Sequence, residues 1–130
     1  MIYLSIRTDK PESEIAIFKD GTSLSNYRWE ANRRLAETIH KTLEQQLEKQ
    51  GLGYKDLNGV IVFKGPGSFT GLRIGASVIN ALASSLNLPV VACGGSNWIE
   101  DGIERLNNGE NDKLIIPEYG SLPNVTKQKK

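Results

Sequence analysis

Apolar and polar residues alternate at the start of the chain. Apolar side chains occupy every second position over 2–6, with polar or amphipathic ones between them, which is the two-residue period of a β-strand. A second apolar run covers 14–18, and the Asp20-Gly21 pair after it is a strong hairpin signal. Residues 22–29 are expected to return as a third strand, so the chain should begin with three antiparallel strands.

The period changes to that of a helix from about Glu30. Glycine at position 51 is a good helix terminator and closes this stretch. One apolar stripe recurs at four-residue intervals, while charged residues occupy the other faces; its members are Leu35, Ile39, Leu43 and Leu47.

Helical and extended patterns then alternate to the end of the chain. Val60 to Phe63 has no polar interruption and indicates a strand buried on both faces. A glycine-rich segment, a helix to about Leu86, a strand over 88–93, a helix capped by Ser96 and a short strand over 113–116 are predicted to follow. This order predicts one α/β domain over 1–117, with a mixed sheet, helices on its faces, and a flexible, polar, basic tail over 118–130.

Composition narrows the classes of function. The 130 residues include 16 Lys and Arg against 15 Asp and Glu, so no excess of positive charge indicates nucleic-acid binding. One Cys and one His exclude an internal disulfide and give no basis for a metal site. Neither a membrane-spanning apolar run nor a signal sequence is recognised, which predicts a cytoplasmic protein without membrane contact.

The segment KGPGSFTGLRIG, residues 64–75, concentrates four glycines between a strand and a helix. Such a junction can bring backbone N–H groups close to a phosphate, which makes Gly67, Ser68 and Thr70 candidates for positions near a nucleotide. The spacing fits neither GxGxxG nor GxxxxGK[ST]. Ser68 also lacks the GxSxG spacing of a nucleophile, and the single His40 lies on another predicted helix, so a helix cap at Ser68 or Thr70 is favoured.

Gly71 and Gly75 fall on one face of the second predicted helix. Each costs about 1 kcal/mol relative to Ala in a helix, a cost that close approach of another backbone would offset. That backbone could belong to the chain's own sheet or to a partner. Because Ile74 and Val78 add a second apolar surface to this helix, a partner is predicted to supply at least part of the contact.

Residues 65–75, GPGSFTGLRIG, resemble the signature of the TsaB (YeaZ) family of tRNA threonylcarbamoyladenosine biosynthesis proteins. The resemblance extends over about 1–106 and implies a single actin-like ATPase, or ribonuclease H-like, domain with a mixed five-stranded sheet. The family pairs as a noncatalytic subunit with the enzyme TsaD and the ATPase TsaE, and meets tRNA through that complex. The resemblance implies no intrinsic cofactor, with ATP or ADP held at the partner interface.

In that family the pairing uses the first two helices. The resemblance therefore implies a partner interface on this chain, formed by Leu35, Ile39, Leu43, Gly71, Leu72, Arg73, Gly75, Val78 and Ile79.

Two departures from the family pattern affect these expectations. The family's first strand usually reads like LAIDTS, and Arg7 stands here at the acidic position. An arginine cannot ligate a divalent metal, although Asp9 could partly substitute. The second actin-like half of most members is expected to be absent, so one copy should not complete a nucleotide cleft.

Two further classes of function stay open. The chain could be an ATP-dependent phosphotransferase or a glycoprotease-like peptidase of the actin-like superfamily. It could also be a self-associating scaffold, because the same apolar helices can pair with a second copy as a homodimer.

Overall fold

The computed structural model describes residues 1–31 and 34–117. They form a five-stranded sheet in the order β3-β2-β1-β4-β5, with three helices against it. The strands are β1 (Ile2–Arg7), β2 (Glu12–Lys19), β3 (Thr22–Glu30), β4 (Gly59–Phe63) and β5 (Val90–Cys93). The helices are α1 (Leu35–Lys49), α2 (Phe69–Leu86) and α3 (Trp98–Asn107).

Strand β1 lies at the centre of the sheet because it carries buried side chains on both faces. It pairs antiparallel with β2 and parallel with β4, and β2 pairs antiparallel with β3. Leu4 and Ile6 pack into one core cluster with residues of α1 and α2, whereas Tyr3 belongs to a second cluster with residues of α3. The predicted mixed sheet with three antiparallel strands first is confirmed.

The core is thus divided by the sheet. The larger cluster joins α1 and α2 to the sheet, and the smaller one includes Trp98 and Leu106 of α3 together with Phe63 and Cys93. The carboxyl ends of the parallel strands β1, β4 and β5 share one edge, where loops over 8–11, 64–68 and 94–97 meet the helices.

The structure corrects two predicted helix starts. Helix α1 begins at Leu35 rather than near Glu30, because β3 continues to Glu30 and the Ala31 N–H donates to the Pro11 carbonyl oxygen across 3.0 Å. Helix α3 begins at Trp98 after Asn97, so the predicted cap at Ser96 is wrong.

The predicted strand over 113–116 is also wrong. Side chains of the preceding residues take the hydrogen-bonding positions along β5: Asn111 Oδ1 accepts from the Val90 N–H at 3.1 Å, and Asp112 Oδ2 accepts from the Ala92 N–H at 2.8 Å. Ile115 then turns into the core, where both of its backbone groups bond to the side-chain amide of Asn80. The predicted tail over 118–130 lies outside the described residues.

Arg105 of α3 fixes this segment. Its guanidinium donates to Glu110 at 2.8 Å, to Asp112, and to the Ala92 carbonyl oxygen at 3.0 Å. The hydrogen bond that Arg105 donates to Asp112, followed by the one it donates to Glu110, raises the pKa of Arg105 above its ordinary value. We call residues 110–115 the edge segment.

Candidate functional site

The amino end of α2 is joined to the loop after β1. The Ser68 N–H donates to the Asp9 carbonyl oxygen across 2.9 Å, and the Ser68 hydroxyl accepts from the Gly71 N–H at 3.4 Å. Ser68 is the residue that precedes the first helical position, so the predicted cap is confirmed at Ser68. The cap satisfies one of the backbone donors that a helix start leaves unpaired.

Three glycines of the glycine-rich segment pack against the end of β1. A Cβ built on Gly67 would lie 2.4 Å from Asp9 Cβ, one on Gly71 would lie 2.1 Å from the Thr8 carbonyl oxygen, and one on Gly75 would lie 2.3 Å from Thr8 Oγ1. None of these distances is compatible with a side chain. Thr8 of the same chain therefore supplies the close approach, with its backbone at Gly71 and with its side chain at Gly75. The prediction that a partner supplies at least part of this contact is corrected accordingly.

The Arg7 guanidinium faces the carboxylate of Asp9. Arg7 Nε and Nη2 donate to the two Asp9 oxygens at 2.8 Å each, and the guanidinium lies 4.0 Å from the centre of the Phe63 ring. Burial alone raises the pKa of Asp9, but the hydrogen bond and charge of Arg7 outweigh it, and the pKa lies below its ordinary value. A cation of the chain itself thus neutralises this carboxylate.

Ser68 and His40 lie apart within residues 1–31 and 34–117. No hydrogen bond joins Ser68 to His40 within the described residues, and His40 is exposed on α1. The same ranges contain no group of three or more His, Cys, Asp or Glu side chains placed to hold a metal ion.

Most side chains predicted for the partner interface belong to the chain's own core. Each is at most 3% exposed, so the prediction is corrected for Ile39, Leu43, Leu72 and Ile79, which offer no surface to a partner. Leu35 is equally buried, but it also lines a cavity beside α1. Gly75 is buried as well, and Gly71 is half-buried against Thr8. The apolar stripes that indicated an interface are the faces by which α1 and α2 cover the sheet.

Arg73 and Val78 are placed differently. Arg73 is exposed and Val78 half-buried, and both line a cavity of about 420 Å³ between α1 and α2. It continues into one of about 480 Å³ through Thr70 and Ile74, which line both. We call the combined surface the helix groove; its other lining residues are Lys10, Pro11, Ser13, Ala31, Arg34, Leu35, Ala36, Ser68, Gly71 and Ser77.

The three residues predicted to lie near a nucleotide are found on different sides of the turn. Ser68 and Thr70 line the helix groove, whereas Gly67 lies against Asp9 on the other side of the turn. Nucleotide binding at these positions stays a prediction.

Two residues of the site were missed from the sequence. Thr8 contacts both helical glycines and donates through its hydroxyl to the Gly71 carbonyl oxygen at 2.8 Å. Lys10 lines the groove from the loop after β1. Neither has a sequence signal of its own, because both are placed by the pairing of β1 with the start of α2.

Sheet order, helix placement and the glycine-rich turn define the class: an α/β domain of the ribonuclease H-like, actin-like kind. The fold is similar to that of YeaZ from Pseudomonas aeruginosa, with a TM-score of 0.66 and 24% identity over 72% of this chain and 45% of that one. Residues 29–94 match the family described as TsaD, tRNA N6-adenosine threonylcarbamoyltransferase.

Curated relatives agree with this family. The chain is 30% identical over 92 residues to the tRNA threonylcarbamoyladenosine biosynthesis protein TsaB of Bacillus subtilis, covering 71% of this chain and 40% of the relative. It is 41% identical over 73 residues to the tRNA N6-adenosine threonylcarbamoyltransferase of Geotalea daltonii, a match that covers 56% of this chain and 20% of the relative. The chain belongs to this TsaB and TsaD family, on its TsaB (YeaZ) side, and spans less than half the length of either relative.

Within the described part of the chain, no helix is both long and apolar enough to cross a membrane.

Proposed function

We propose that the chain acts in tRNA threonylcarbamoyladenosine synthesis as a noncatalytic subunit that binds and activates a TsaD-type threonylcarbamoyltransferase through the helix groove. The observation that carries the proposal is the groove itself, which leaves half-buried apolar side chains of α2 accessible between two helices. Family membership supports a role in this modification, because the relatives are named for tRNA threonylcarbamoyladenosine synthesis or transfer.

The groove has the composition of a protein-binding surface. Ile74 and Val78 provide apolar contact area, Arg73 lies at its rim, and the Arg73 guanidinium is 5.2 Å from the centre of the Phe69 ring. Phe69 is 54% exposed at the start of α2. Aromatic and arginine side chains beside an apolar patch are typical of residues that dominate binding energy.

The end of β1 supports a noncatalytic role. Asp9 lies against Gly67 of the glycine-rich turn, and both oxygens of its carboxylate accept from Arg7. Arg7 would have to leave before this carboxylate could bind a cation or a phosphate-bound metal, and an uncompensated buried carboxylate is costly. The side chains at this strand end therefore favour stability over phosphoryl transfer.

The proposal is tested with the full chain and the TsaD-type protein of the same organism. Light scattering after size exclusion measures whether the two form a complex, and nucleoside analysis measures threonylcarbamoyladenosine in tRNA when the complete set of modification proteins is supplied with or without this chain. We expect a complex, and modification that depends on the chain. Equal modification without the chain would overturn the proposal.

Ser77→Trp places a bulky side chain in the groove from an exposed position. It should weaken the complex, whereas Lys41→Trp, on an exposed part of α1 outside the groove, should not. Homodimers that persist when the TsaD-type protein is added, with no complex between the two proteins, would favour the self-associating scaffold instead. Recruitment of a TsaE-type ATPase and contact with tRNA stay predictions from the family resemblance.

A further inference from the structure

The charged side chains of the helix groove all have one sign. Lys10 and Arg34 lie in its larger part and Arg73 in its smaller part. No acidic residue is found among the described residues that line it. The chain as a whole carries nearly equal numbers of acids and bases, so this concentration is a property of the groove.

Few carboxylates of the described residues balance these cations. No described carboxylate lies within ion-pair distance of Lys10 or Arg73, and Arg34 has only the exposed Glu37 at 3.5 Å. Lys10 lies close enough to lower the pKa of Asp9, but the Asp9 carboxylate already accepts two hydrogen bonds from Arg7. Positive charge at the groove is therefore left for an external anion.

The floor of the groove is apolar and includes a buried hydroxyl. Ala31, Leu35 and Ile74 line the larger part. Ser13 contributes to the same lining, and its Oγ is buried with no hydrogen-bond partner. The floor therefore offers apolar contact area beside the cations.

We propose that the groove recognises an acidic amphipathic segment of its protein partner, whose apolar side chains pack on the floor and whose carboxylates meet Lys10 and Arg73. The inference rests on the proposed function and adds the chemistry of the partner's contacting surface. A free phosphate would satisfy the cations but would leave Ile74 and Val78 uncovered, so the combination favours a peptide segment. Laying an amphipathic helix into a groove between two helices is a common recognition mode.

The test is the affinity of the full chain for the TsaD-type protein, measured by calorimetry between about 0.05 and 0.5 M NaCl, where the screening length falls from well above to below 10 Å. The wild-type complex should weaken as salt rises. The double variant Lys10→Glu, Arg73→Glu should bind roughly tenfold or more weakly at low salt, and its salt dependence should be reversed, because like charges then face each other and salt screens their repulsion. The control Lys41→Glu changes an exposed charge of α1 outside the groove and should bind as the wild type does.

Thermal unfolding of each variant confirms that the fold is kept, since all three substituted positions are exposed. A complex that forms with a salt-independent affinity and tolerates the double charge reversal would overturn this inference and leave the proposed function standing. Absence of any wild-type complex, at low salt included, would overturn the proposed function itself and this inference with it. Competition by inorganic phosphate at millimolar concentration, without competition by sodium chloride of equal ionic strength, would show a phosphate site and overturn the peptide assignment.

Discussion

Thr8 donates its hydroxyl hydrogen bond to the carbonyl oxygen of Gly71 across 2.8 Å, and its own carbonyl oxygen occupies the space that a Gly71 side chain would need. The end of β1 and the first turns of α2 are therefore in direct backbone contact. Gly67, Gly71 and Gly75 serve this contact within the chain, and Gly71 also lines the helix groove beside it.

Substitution of the two helical glycines should destabilise the fold in different ways. Gly75→Ala should cost about 1–3 kcal/mol by overpacking, because its Cβ would meet the side chain of Thr8 at 2.3 Å. Thr8→Ala should recover part of this loss in the double variant, since it removes the clashing Oγ1. Gly71→Ala should cost at least as much and should not be recovered by Thr8→Ala, because there the clash at 2.1 Å is with a backbone oxygen.

Urea unfolding of the single and double variants measures these differences as a double-mutant cycle. Gly53→Ala is the matched control, since a Cβ at Gly53 meets nothing within 4 Å. Equal recovery of the Gly71 and Gly75 variants by Thr8→Ala would contradict the assigned contacts.

Loss of the arginine at the end of β1 should destabilise the fold by leaving Asp9 buried without its cation. Arg7→Gln is expected to cost about 3–5 kcal/mol near neutral pH. In the wild type the folded-state pKa of Asp9 is lowered, so the pair stabilises the fold above the unfolded pKa of about 3.9. That contribution is lost as the pH falls through the lower, folded-state pKa.

The difference in the free energy of unfolding between the wild type and Arg7→Gln should therefore become smaller as the pH drops below about 4, where Asp9 takes up a proton. Chemical unfolding at several pH values measures it. Arg28→Gln is the control, because Arg28 is exposed and its ion pair with Glu14 spans 3.7 Å; such a pair contributes about 0–1 kcal/mol. An Arg7→Gln effect as small as the Arg28→Gln effect would contradict the importance of the pair.

Removal of the acceptor on the edge segment should expose the outer strand of the sheet. Asp112→Ala removes the carboxylate that accepts from the Ala92 N–H at 2.8 Å. Hydrogen exchange at that amide should accelerate by about tenfold or more, equivalent to losing about 1.4 kcal/mol of local protection.

Glu110→Ala is the control for this variant, because Glu110 bonds to Arg105 and not to β5. It should leave exchange at Ala92 unchanged, and Asp112→Asn should keep most of the protection by retaining an oxygen acceptor. If exchange at Ala92 became faster in the Glu110 variant but not in the Asp112→Ala variant, protection of this amide would depend on Arg105 and not on Asp112.

The single cysteine should report unfolding. Burial raises the pKa of the Cys93 thiol and outweighs the opposing hydrogen bond from Arg105, so little reactive thiolate forms near neutral pH. A disulfide reagent should label Cys93 slowly in the native chain and rapidly in denaturant. Labelling of the native chain at the denatured rate would contradict the buried position.

Periodicity located the five strands of the sheet and the three helices, but it did not fix where α1 and α3 begin or what covers the apolar faces of the helices. The stripe that includes Leu35 and Ile39 has the spacing of any amphipathic helix, and that spacing is the same whether the covering surface is the chain's own sheet or a partner. The glycines at 71 and 75 correctly indicated a close approach at this face of α2, by backbone at Gly71 and by a side chain at Gly75. Only the register of β1 against α2 shows that Thr8 is what approaches them.

The edge segment shows a second limit of sequence patterns. Its apolar run predicted a strand at 113–116, but Asn111 and Asp112 already bond to β5 through their side chains. Ile115 is buried as an isolated anchor held by Asn80. Side-chain capping of a strand edge has no period, so it leaves no pattern to recognise.

The contact between Thr8 and α2 has a consequence for binding. The helix that carries Arg73 and Val78 is held against the sheet at Gly71 and Gly75 before any partner arrives. A surface that is already rigid gives up less conformational entropy when it is covered. In the proposed complex more of the contact energy would then be available as affinity, and Gly75, which is not among the groove-lining residues, would contribute without touching the partner.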